Sequence, residues 1–519
     1  MTQVAERISP VPVRSRPGAG ALLASRRWRI FLTAWILYSV HFATNVVREH
    51  YPAFSIAEHG TFRVDEYQGF HADIFVHTDG HSVIGNQVLV SVLAAVPLFV
   101  FDPVLDALER YSRRRLATEG VGHAEYRTDK PNRVAFYRLV KERGLELRFG
   151  AATVITSVLF MAPLTALFLV FVYDVLVGRG MRRADATWLT LLFGFGTPLF
   201  FRTSHLNHNL FVMYAMFISY VLLWRHSGTA VPVRTRLLAG LFAGITLATD
   251  YVGIIILPLL YGYLLLDRRR TASWTTSLRE SLVFVAGAIP PVLFLLYSQW
   301  AMYGNPFLPG QHWMPQQNQY TEIGMRGMSL PAPDLIFMNL FHPGYGLFLW
   351  APLFVLSFLP VREQGSGTIL PRREWLFVMT WFVALLLFSS ANQYARLQWN
   401  SGFRYLVPAL PFLLLAMADR WVRLSRAARI GIAALVVTNS WVLTVFREPV
   451  HESWRLFLAE GIQLPWLRVL RMTSPAPGTW LSGQLPALAV LTGTLLLIGW
   501  LWRRGAGLEA RRRAADVTL

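Results

Sequence analysis

Long apolar runs alternate with short polar segments along almost the whole chain. A helix that crosses a bilayer needs about 20 mostly apolar residues, because each residue adds about 1.5 Å to its length. Such runs lie at 28–47, 151–177, 186–203, 209–225, 236–249, 251–266, 280–299, 337–360, 375–391, 403–419, 429–446 and 484–502. The pattern predicts an all-α polytopic membrane protein with about 12 transmembrane helices. This transmembrane domain would occupy 28–502, between basic tails at 1–27 and 503–519.

The apolar segment 87–104 decides the orientation of every later helix. If it does not cross and the N-terminus is cytoplasmic, the short arginine-rich loops all face the cytoplasm, as the positive-inside rule requires. Counting it as a crossing would place those arginines outside. We therefore expect 87–104 to be re-entrant or interfacial, and both termini to be cytoplasmic. Residues 48–150 would then form a large external loop, with interfacial helices in its basic part, 105–150.

Composition narrows the class of protein further. With 54% hydrophobic residues the chain requires lipid as its solvent, and we expect it in the inner or plasma membrane. The formal net charge of +19 comes from arginines clustered between apolar runs, which favours anionic headgroups as partners over nucleic acid. Cysteine is absent, which excludes disulfides, thiolate nucleophiles and cysteine metal sites.

Acidic and histidine residues are most concentrated in the segment Thr44–Asn86, directly after the first apolar run. Its adjacent pair Asp65 and Glu66 is the candidate catalytic site, because a carboxylate near the membrane surface can act as general base for an acceptor hydroxyl or amine. Adjacent side chains project differently, so one of the two would face the reaction. The alternative is a pair of hydrated loop acids, which is the commoner role of such a pair.

The same segment offers a possible metal site. Five residues alternate so that they would share one side of an extended strand. They are His71, Asp73, His77, Asp79 and His81. Imidazole and carboxylate groups suit a divalent ion, but no HExxH motif is present and dense polar loops often have this composition. We assign no metal ligands and no certain cofactor, and a divalent metal stays open.

Seven further residues are candidate substrate contacts because they lie at predicted helix ends on the external side. They are Arg48, Tyr51, His205, His208, Asp250, Arg404 and Tyr405. A charged Asp250 inside a span would cost about 2.5–3.5 kcal/mol, so it requires an interface or a cavity, unless it is a helix cap. Arg404 is suited to a phosphate through paired hydrogen bonds, although interfacial arginine and tyrosine are common.

Four segments together resemble the GT-C superfamily of polytopic glycosyltransferases, which includes protein O-mannosyltransferases and bacterial aminoarabinose transferases. They are REHYPAFSIAEHGTFRVDEY, YGNPFLPGQ, HPGYGLFLWAP and WNSGFRYLVPALPF. The resemblance implies Asp65 as catalytic base, Glu66 as a supporting acid, and Arg404 with Tyr405 as contacts to the donor phosphate. Arg48 would also meet lipid phosphate. Many relatives carry Lys-Pro-Pro where this chain has Gly85-Asn86-Gln87.

The resemblance implies transfer of a sugar from a polyprenyl-phosphate donor to a glycan, lipid or protein acceptor on the external or periplasmic face, with little or no dependence on metal. No glycine-rich nucleotide fingerprint opens a helix, which fits a lipid-activated donor. The alternative is a membrane transporter or lipid flippase, for which internal repeats and midplane charges would be typical, and neither is evident. A non-catalytic assembly subunit is a third reading, and it predicts that Asp65 is dispensable.

Overall fold

The computed structural model describes residues 19–119, 131–315, 319–359, 368–397, 404–473 and 483–517. It is 76% helical. Within these ranges the strands are one antiparallel pair, β1 (Ile74–Val76) and β2 (Ser82–Ile84), with Ile74 opposite Ile84. The predicted all-α class is therefore confirmed, and the hairpin is a local feature of the first loop.

The α-helices follow one another along the whole described chain. The first twelve are α1 (Ala19–Ala24), α2 (Arg26–Val40), α3 (His50–His59), α4 (Leu89–Val100), α5 (Asp102–Glu119), α6 (Pro131–Glu142), α7 (Glu146–Val154), α8 (Ala162–Gly178), α9 (Arg183–Phe195), α10 (Pro198–Thr203), α11 (His208–Trp224) and α12 (Val233–Thr249). The others are α13 (Gly253–Arg268), α14 (Trp274–Tyr303), α15 (Gly310–Trp313), α16 (Pro333–Phe341), α17 (Leu347–Trp350), α18 (Arg372–Ala391), α19 (Leu410–Arg423), α20 (Arg426–Phe446), α21 (Val450–Glu460), α22 (Pro465–Thr473) and α23 (Leu485–Val517). A π-helical segment, Ile155–Met161, joins α7 to α8. Short 3₁₀ turns occupy Asp65–Tyr67, Gln319–Thr321, Pro352–Phe358, Gln393–Leu397 and Arg404–Ala409.

Six helices in the described ranges are long and apolar enough to cross a bilayer, or seven if a bent pair is one span. They are Glu146–Gly178, Trp274–Tyr303, Arg372–Ala391, Arg404–Arg423, Arg426–Phe446 and Leu485–Arg511. Each coincides with a predicted span. Their length and composition indicate a protein embedded in a membrane.

Two other predicted spans, 186–203 and 337–360, are interrupted, and proline explains both interruptions. In 186–203, α9 ends at Phe195 and Thr197, which precedes Pro198, is extended. In 337–360, α16 ends at Phe341 and His342 is extended before Pro343. The ring of proline clashes with a helical conformation of the residue before it, so both helices stop there. A continuous helix over 337–360 was the wrong prediction.

The segment 87–104 is not a straight span. Helices α4 and α5 meet at Phe101 with a bend of 77°. The C-terminal turns of α4 expose Val96, Phe99 and Val100 by more than 60% each. This geometry fits the expected re-entrant or interfacial segment, with an apolar face turned away from the protein.

Helices α12 and α14 pack with their backbones in close contact because glycines lie between them. A Cβ atom on Gly240 would lie 1.9 Å from the carbonyl oxygen of Phe284, and one on Gly287 would lie 2.2 Å from that of Leu237. Small residues permit such approach between helices in membranes. This pair fixes the position of the turn that follows α12.

Charged residues separate into two groups at opposite ends of α11 to α14. At one end Asp267 pairs with Arg373 and accepts hydrogen bonds from Ser227 and the backbone of Gly228. At the other end α12 finishes at Asp250, and the Tyr303 hydroxyl at the end of α14 donates to the first loop. The arginine-rich loops and the first loop therefore lie at opposite ends of these four helices.

Candidate active site

The β-hairpin of the first loop brings Asp73 next to Asn86. The backbone N–H of Gly85 donates to the carbonyl oxygen of Asp73 at 3.0 Å. The side-chain amide of Asn86 donates to the Asp73 carboxylate at 2.8 Å. Asp73 comes just before β1 and Asn86 just after β2, so the hairpin register itself aligns them.

Around Asp73 lies a compact set of charged side chains, which we call the Arg48 cluster. Its members are Arg48, Glu49, Asp73, His208 and Asp250. Arg48 bonds Glu49 at 3.2 Å and Asp73 at 3.0 Å. His208 links Glu49, 2.5 Å from its Nδ1, to Asp250, 3.2 Å from its Nε2. A continuous chain of ion pairs thus runs from Asp73 to Asp250.

Three separate helix ends build this cluster. Arg48 and Glu49 precede the first turn of α3, and His208 is the first residue of α11. Asp250 follows α12, and its carboxylate accepts the backbone N–H of Val252 at 3.0 Å at the start of α13. Asp250 is therefore a helix cap and a member of the charged cluster at once, and its role as a substrate contact stays a prediction.

The π-helical segment packs against the residues at the start of the first loop. It turns Thr156 toward His50, with 3.0 Å between Oγ1 and Nε2, while Ser157 donates to the carbonyl oxygen of Ser204 at 3.1 Å. The carbonyl oxygen of Glu49 accepts the hydroxyl of Ser91 at 2.8 Å. The residue pair Glu49–His50 is thereby fixed by helices on both sides.

Electrostatics keep the acids of the cluster ionised. Burial would raise the pKa of Glu49, but His208 and Arg48 lower it below its ordinary value by more. Burial also acts on Asp73, and His71 and Arg48 lower its pKa in the same way. Burial would raise the pKa of Asp250, but His208, the backbone N–H of Val252 and Arg48 together lower it. All three carboxylates therefore carry a negative charge at neutral pH.

Asp73 is the most accessible acid of the cluster. Its side chain is 21% exposed, compared with 8% for Glu49 and 15% for Asp250. Only one of its two carboxylate oxygens, Oδ2, receives the bonds from Arg48 and Asn86. The cluster thus presents Asp73 to a substrate, while Glu49 and Asp250 hold His208.

A second group of cationic side chains lies beside the cluster, and we call it the Arg447 group: Arg202, Arg404 and Arg447. Arg202 is 3% exposed and lies within electrostatic range of the other two arginines. Arg447 donates to Ser204 at 2.5 Å and contacts His205 at 3.0 Å. Burial and the neighbouring Arg133 lower the pKa of Arg447 to about 9.

The Arg447 group and the Arg48 cluster are electrostatic neighbours. Arg404 acts on His71, the residue that contacts Asp73, and its guanidinium bonds the Tyr405 hydroxyl at 2.9 Å. Tyr405 in turn acts on Arg48. Carboxylates and guanidinium groups are therefore adjacent at this end of the helices, which is the arrangement that a phosphate-bearing substrate and a proton transfer both require.

Most of the predicted site residues meet here. Arg48, His208 and Asp250 belong to the Arg48 cluster, while His205 and Arg404 lie at the Arg447 group with Tyr405. Tyr51 does not reach the site. It is 1% exposed, and its ring packs against Tyr67 and Phe70 in the core of the first loop.

Asp65 and Glu66 lie apart from the cluster. The side chain of Asp65 is 47% exposed and accepts hydrogen bonds from the Ser82 backbone and from His81. Glu66 is 66% exposed and lies 3.6 Å from His59. Neither contacts a member of the Arg48 cluster among the described residues. Glu49 and Asp73, and not Asp65 or Glu66, are the acids that contact Arg48.

The alternating histidines and aspartates do not converge on one point. His77 faces Asp79, His81 faces Asp65, and Asp73 points into the Arg48 cluster. Within the described part of the chain, Glu58, His59 and Glu66 are the residues whose ligand atoms lie close enough for one ion, all within 4.8 Å. They lie at the far end of α3 from Glu49.

Sequence reasoning did not select Glu49, Arg202 and Arg447, and it considered Asp73 only as a possible metal ligand. Glu49 directly follows Arg48, so that adjacency was the one available signal. Searches against protein-family models, curated proteins and solved structures found no match for this chain. The geometry of the site therefore carries the functional argument.

Proposed function

We propose that this protein is a membrane glycosyltransferase of the GT-C type, which transfers a sugar from a polyprenyl-phosphate donor to an acceptor. The supporting observation is that the Arg48 cluster and the Arg447 group, which carry opposite net charges, lie at one end of the helices within electrostatic range of each other. A carboxylate to receive a proton and guanidinium groups to receive a phosphate are the two elements of such a reaction.

In this proposal Asp73 takes the role of base that the sequence suggested for Asp65. The acceptor oxygen attacks the anomeric carbon, the bond from that carbon to the phosphate oxygen breaks, and the electron pair leaves with polyprenyl phosphate. The acceptor proton moves to Asp73. Direct displacement of this kind inverts the anomeric configuration. Asp73 is supported by its accessibility and by its Oδ1, which accepts no hydrogen bond from a side chain in the described part of the protein.

Glu49, His208 and Asp250 are positioning residues. They hold Arg48 against Asp73 through the chain of ion pairs, at 3.2 Å or less for each link between Glu49, His208 and Asp250. A fixed Arg48 keeps Asp73 ionised and correctly oriented. Preorganised charge of this kind needs no rearrangement when the reaction proceeds.

The Arg447 group would receive the donor phosphate. Charge develops on the leaving oxygen as the sugar departs, and guanidinium groups stabilise it through paired hydrogen bonds. Arg447 is favoured because it contacts His205, and Arg404 because it acts electrostatically on His71 at the edge of the Arg48 cluster. The lipid chain would enter from the bilayer between helices, so that no soluble donor is needed.

The proposal includes the orientation in the membrane. Twelve crossings, with the Asp267 end in the cytoplasm and the Asp250 end outside, are supported by the arginine-rich loops at the first of these ends. The membrane would be the inner or plasma membrane. A transporter or flippase is less favoured, because the charged residues described above lie at the two ends of the helices and the sequence shows no internal repeat.

The experiment compares two acid variants and one arginine variant in native membranes, with a labelled polyprenyl-phosphate sugar and endogenous acceptors. We expect Asp73→Asn and Arg404→Ala to lose at least about 100-fold in turnover, as removal of a general base or an anion-stabilising group typically does. Asp65→Asn should retain activity, because Asp65 lies outside the cluster. Envelope glycolipids and glycans of a deletion strain, analysed by mass spectrometry, would identify the sugar and acceptor.

The controls separate chemistry from folding. Glu49→Gln should lower turnover together with thermal stability, whereas Asp73→Asn should lower turnover with a smaller effect on stability. Wild-type turnover in a well-expressed Asp73→Asn protein would refute the role of Asp73. Wild-type turnover in both Asp73→Asn and Arg404→Ala would refute the transferase itself.

A further inference from the structure

The side of the hairpin that carries His77 holds polar atoms that the Arg48 cluster does not use. The His77 side chain is 9% exposed, and its Nε2 is buried without a hydrogen-bond partner among the described residues. Its ring meets the edge of Trp313 at 5.0 Å between centroids. The other ring nitrogen faces Asp79 at 3.6 Å, so one nitrogen remains for another partner.

Three further buried polar atoms without partners lie on the segments packed against this ring. They are the indole Nε1 of Trp313, the Oε1 of Gln311 and the Nε2 of Gln87. The segments are in close contact, because a Cβ atom on Gly310 would lie 2.8 Å from the backbone of Gly85. Helix α15 therefore lies directly against the end of the hairpin, with Gln87 just beyond it.

Four such atoms on neighbouring segments, each without a partner among the described residues, require an explanation. Each buried polar group without a partner costs about 1–3 kcal/mol, and native proteins contain few of them. An indole N–H in particular usually finds a partner when it is buried. The set includes two N–H donors, one carbonyl acceptor and an imidazole nitrogen that can act as either. A ligand with several hydroxyl groups matches all four, since each hydroxyl both donates and accepts.

Aromatic rings complete the match. Tyr303 lies nearly parallel to Trp313, with 6.5 Å between centroids and an angle of 19°, and it also stacks on Phe75. Tyr303 is 2% exposed and its hydroxyl is already used by the carbonyl oxygen of Ile84, so it supports the Trp313 ring and does not itself meet a ligand. A flat aromatic surface beside hydrogen-bond donors and acceptors suits a pyranose ring, which has C–H faces and hydroxyl groups at its edge.

We infer that His77, Gln87, Gln311 and Trp313 form a subsite for the sugar ring of a carbohydrate acceptor. The subsite adjoins Asp73, because the hairpin ties Gly85 to Asp73 by a backbone hydrogen bond of 3.0 Å. The donor phosphate occupies the Arg447 group in the proposed function, which leaves the hairpin side of Asp73 for the acceptor. The assignment as acceptor rests on that proposed function, whereas the binding of a sugar ring does not.

The test measures binding of simple sugars to the purified full-length protein. The detergent must have no sugar headgroup, so that it does not compete. Methyl α- and β-hexopyranosides of glucose, mannose and galactose serve as probes, and saturation-transfer NMR gives the Kd. We expect at least one glycoside to bind saturably, and we expect Trp313→Phe and Gln311→Leu each to raise its Kd at least tenfold. Trp300→Phe is the matched control, since that ring is 57% exposed on the surface of α14.

Stability distinguishes a ligand site from a structural one. Gln311→Leu removes the amide group at similar side-chain volume, so the free protein should unfold at the same temperature as wild type or higher. A lower unfolding temperature would mean that the amide is used internally and would overturn the subsite. Absence of binding by all six glycosides, or an unchanged Kd in both variants, would overturn it as well. Glycoside binding by a protein that transfers no sugar from the labelled donor would instead refute the transferase and keep the subsite.

Discussion

Replacing Arg48 by alanine tests whether the Arg48 cluster acts as one coupled unit. The Arg48 side chain is 20% exposed and bonds Glu49 at 3.2 Å and Asp73 at 3.0 Å. Its removal leaves two carboxylates without their guanidinium, next to the third carboxylate of Asp250. Loss of one partner from a buried ion pair typically costs about 3–5 kcal/mol. Because Asp73 keeps some access to water, we expect a loss of about 3 kcal/mol in the free energy of unfolding.

The matched control is Arg27→Ala. Arg27 bonds Asp174 at 2.7 Å, a shorter distance than either bond of Arg48, but its side chain is 65% exposed. An exposed pair of this kind contributes less than about 1 kcal/mol. If distance alone determined the contribution of a pair to the free energy of unfolding, Arg27→Ala would be the more destabilising substitution. If burial determines it, Arg48→Ala will be the more destabilising one.

The assay is equilibrium unfolding in mixed detergent micelles with increasing SDS, followed by near-UV circular dichroism. Arg48→Lys is included because lysine keeps the charge but lacks the planar fork that bonds two carboxylates. We expect the free energy of unfolding of Arg48→Lys to lie between that of wild type and that of Arg48→Ala. Equal free energies for Arg48→Ala and Arg27→Ala would show that the cluster is a loose surface group, and the reasoning about the site would fail with it.

Three other predictions concern pH, packing and orientation. The folded-state pKa values of the cluster acids lie below the ordinary values of 3.8 to 4.5, so their contribution to the free energy of unfolding is complete above about pH 5 and should be lost as the pH falls toward 3. The measurement is the unfolding temperature, which should decline over this range in wild type and change much less in Arg48→Ala. Gly240→Ala should destabilise by about 1–3 kcal/mol because its methyl group would overlap the backbone of α14, whereas Gly262→Ala, which has no neighbour within 4 Å, should be neutral or stabilising in the same SDS titration. Because the chain has no cysteine, a membrane-impermeant maleimide should label Thr78→Cys on intact cells and label Arg270→Cys only after permeabilisation, and the reverse pattern would invert the proposed orientation.

Hydropathy predicted the continuous spans well, since a run such as 280–299 needs only lipid around it to form a helix. It was less successful where proline interrupts an apolar run. Thr197 and His342 are both extended before a proline, and that local clash outweighs the apolar environment. A hydropathy window averages over such a residue, so the interruptions at 186–203 and 337–360 were not visible in it.

The candidate site was predicted in its parts but not in its composition. Arg48, His208 and Asp250 were each selected because charge at a helix end needs a reason. Asp65 was selected because it stands beside another acid, and adjacency along the chain says little about adjacency in space. Glu49 contacts His208, 159 positions later, and only the packing of α11 against the first loop determines that contact.

The separation in sequence between Arg48 and Asp250 has a consequence for biosynthesis. While the first loop is being made, Glu49 has Arg48 as a partner, but His208, which joins Glu49 to Asp250, is still about 160 codons away. Non-local contacts of this kind form late. A chain released before residue 250 should therefore carry an unfinished charged loop, which membrane proteases would degrade more rapidly than the complete protein.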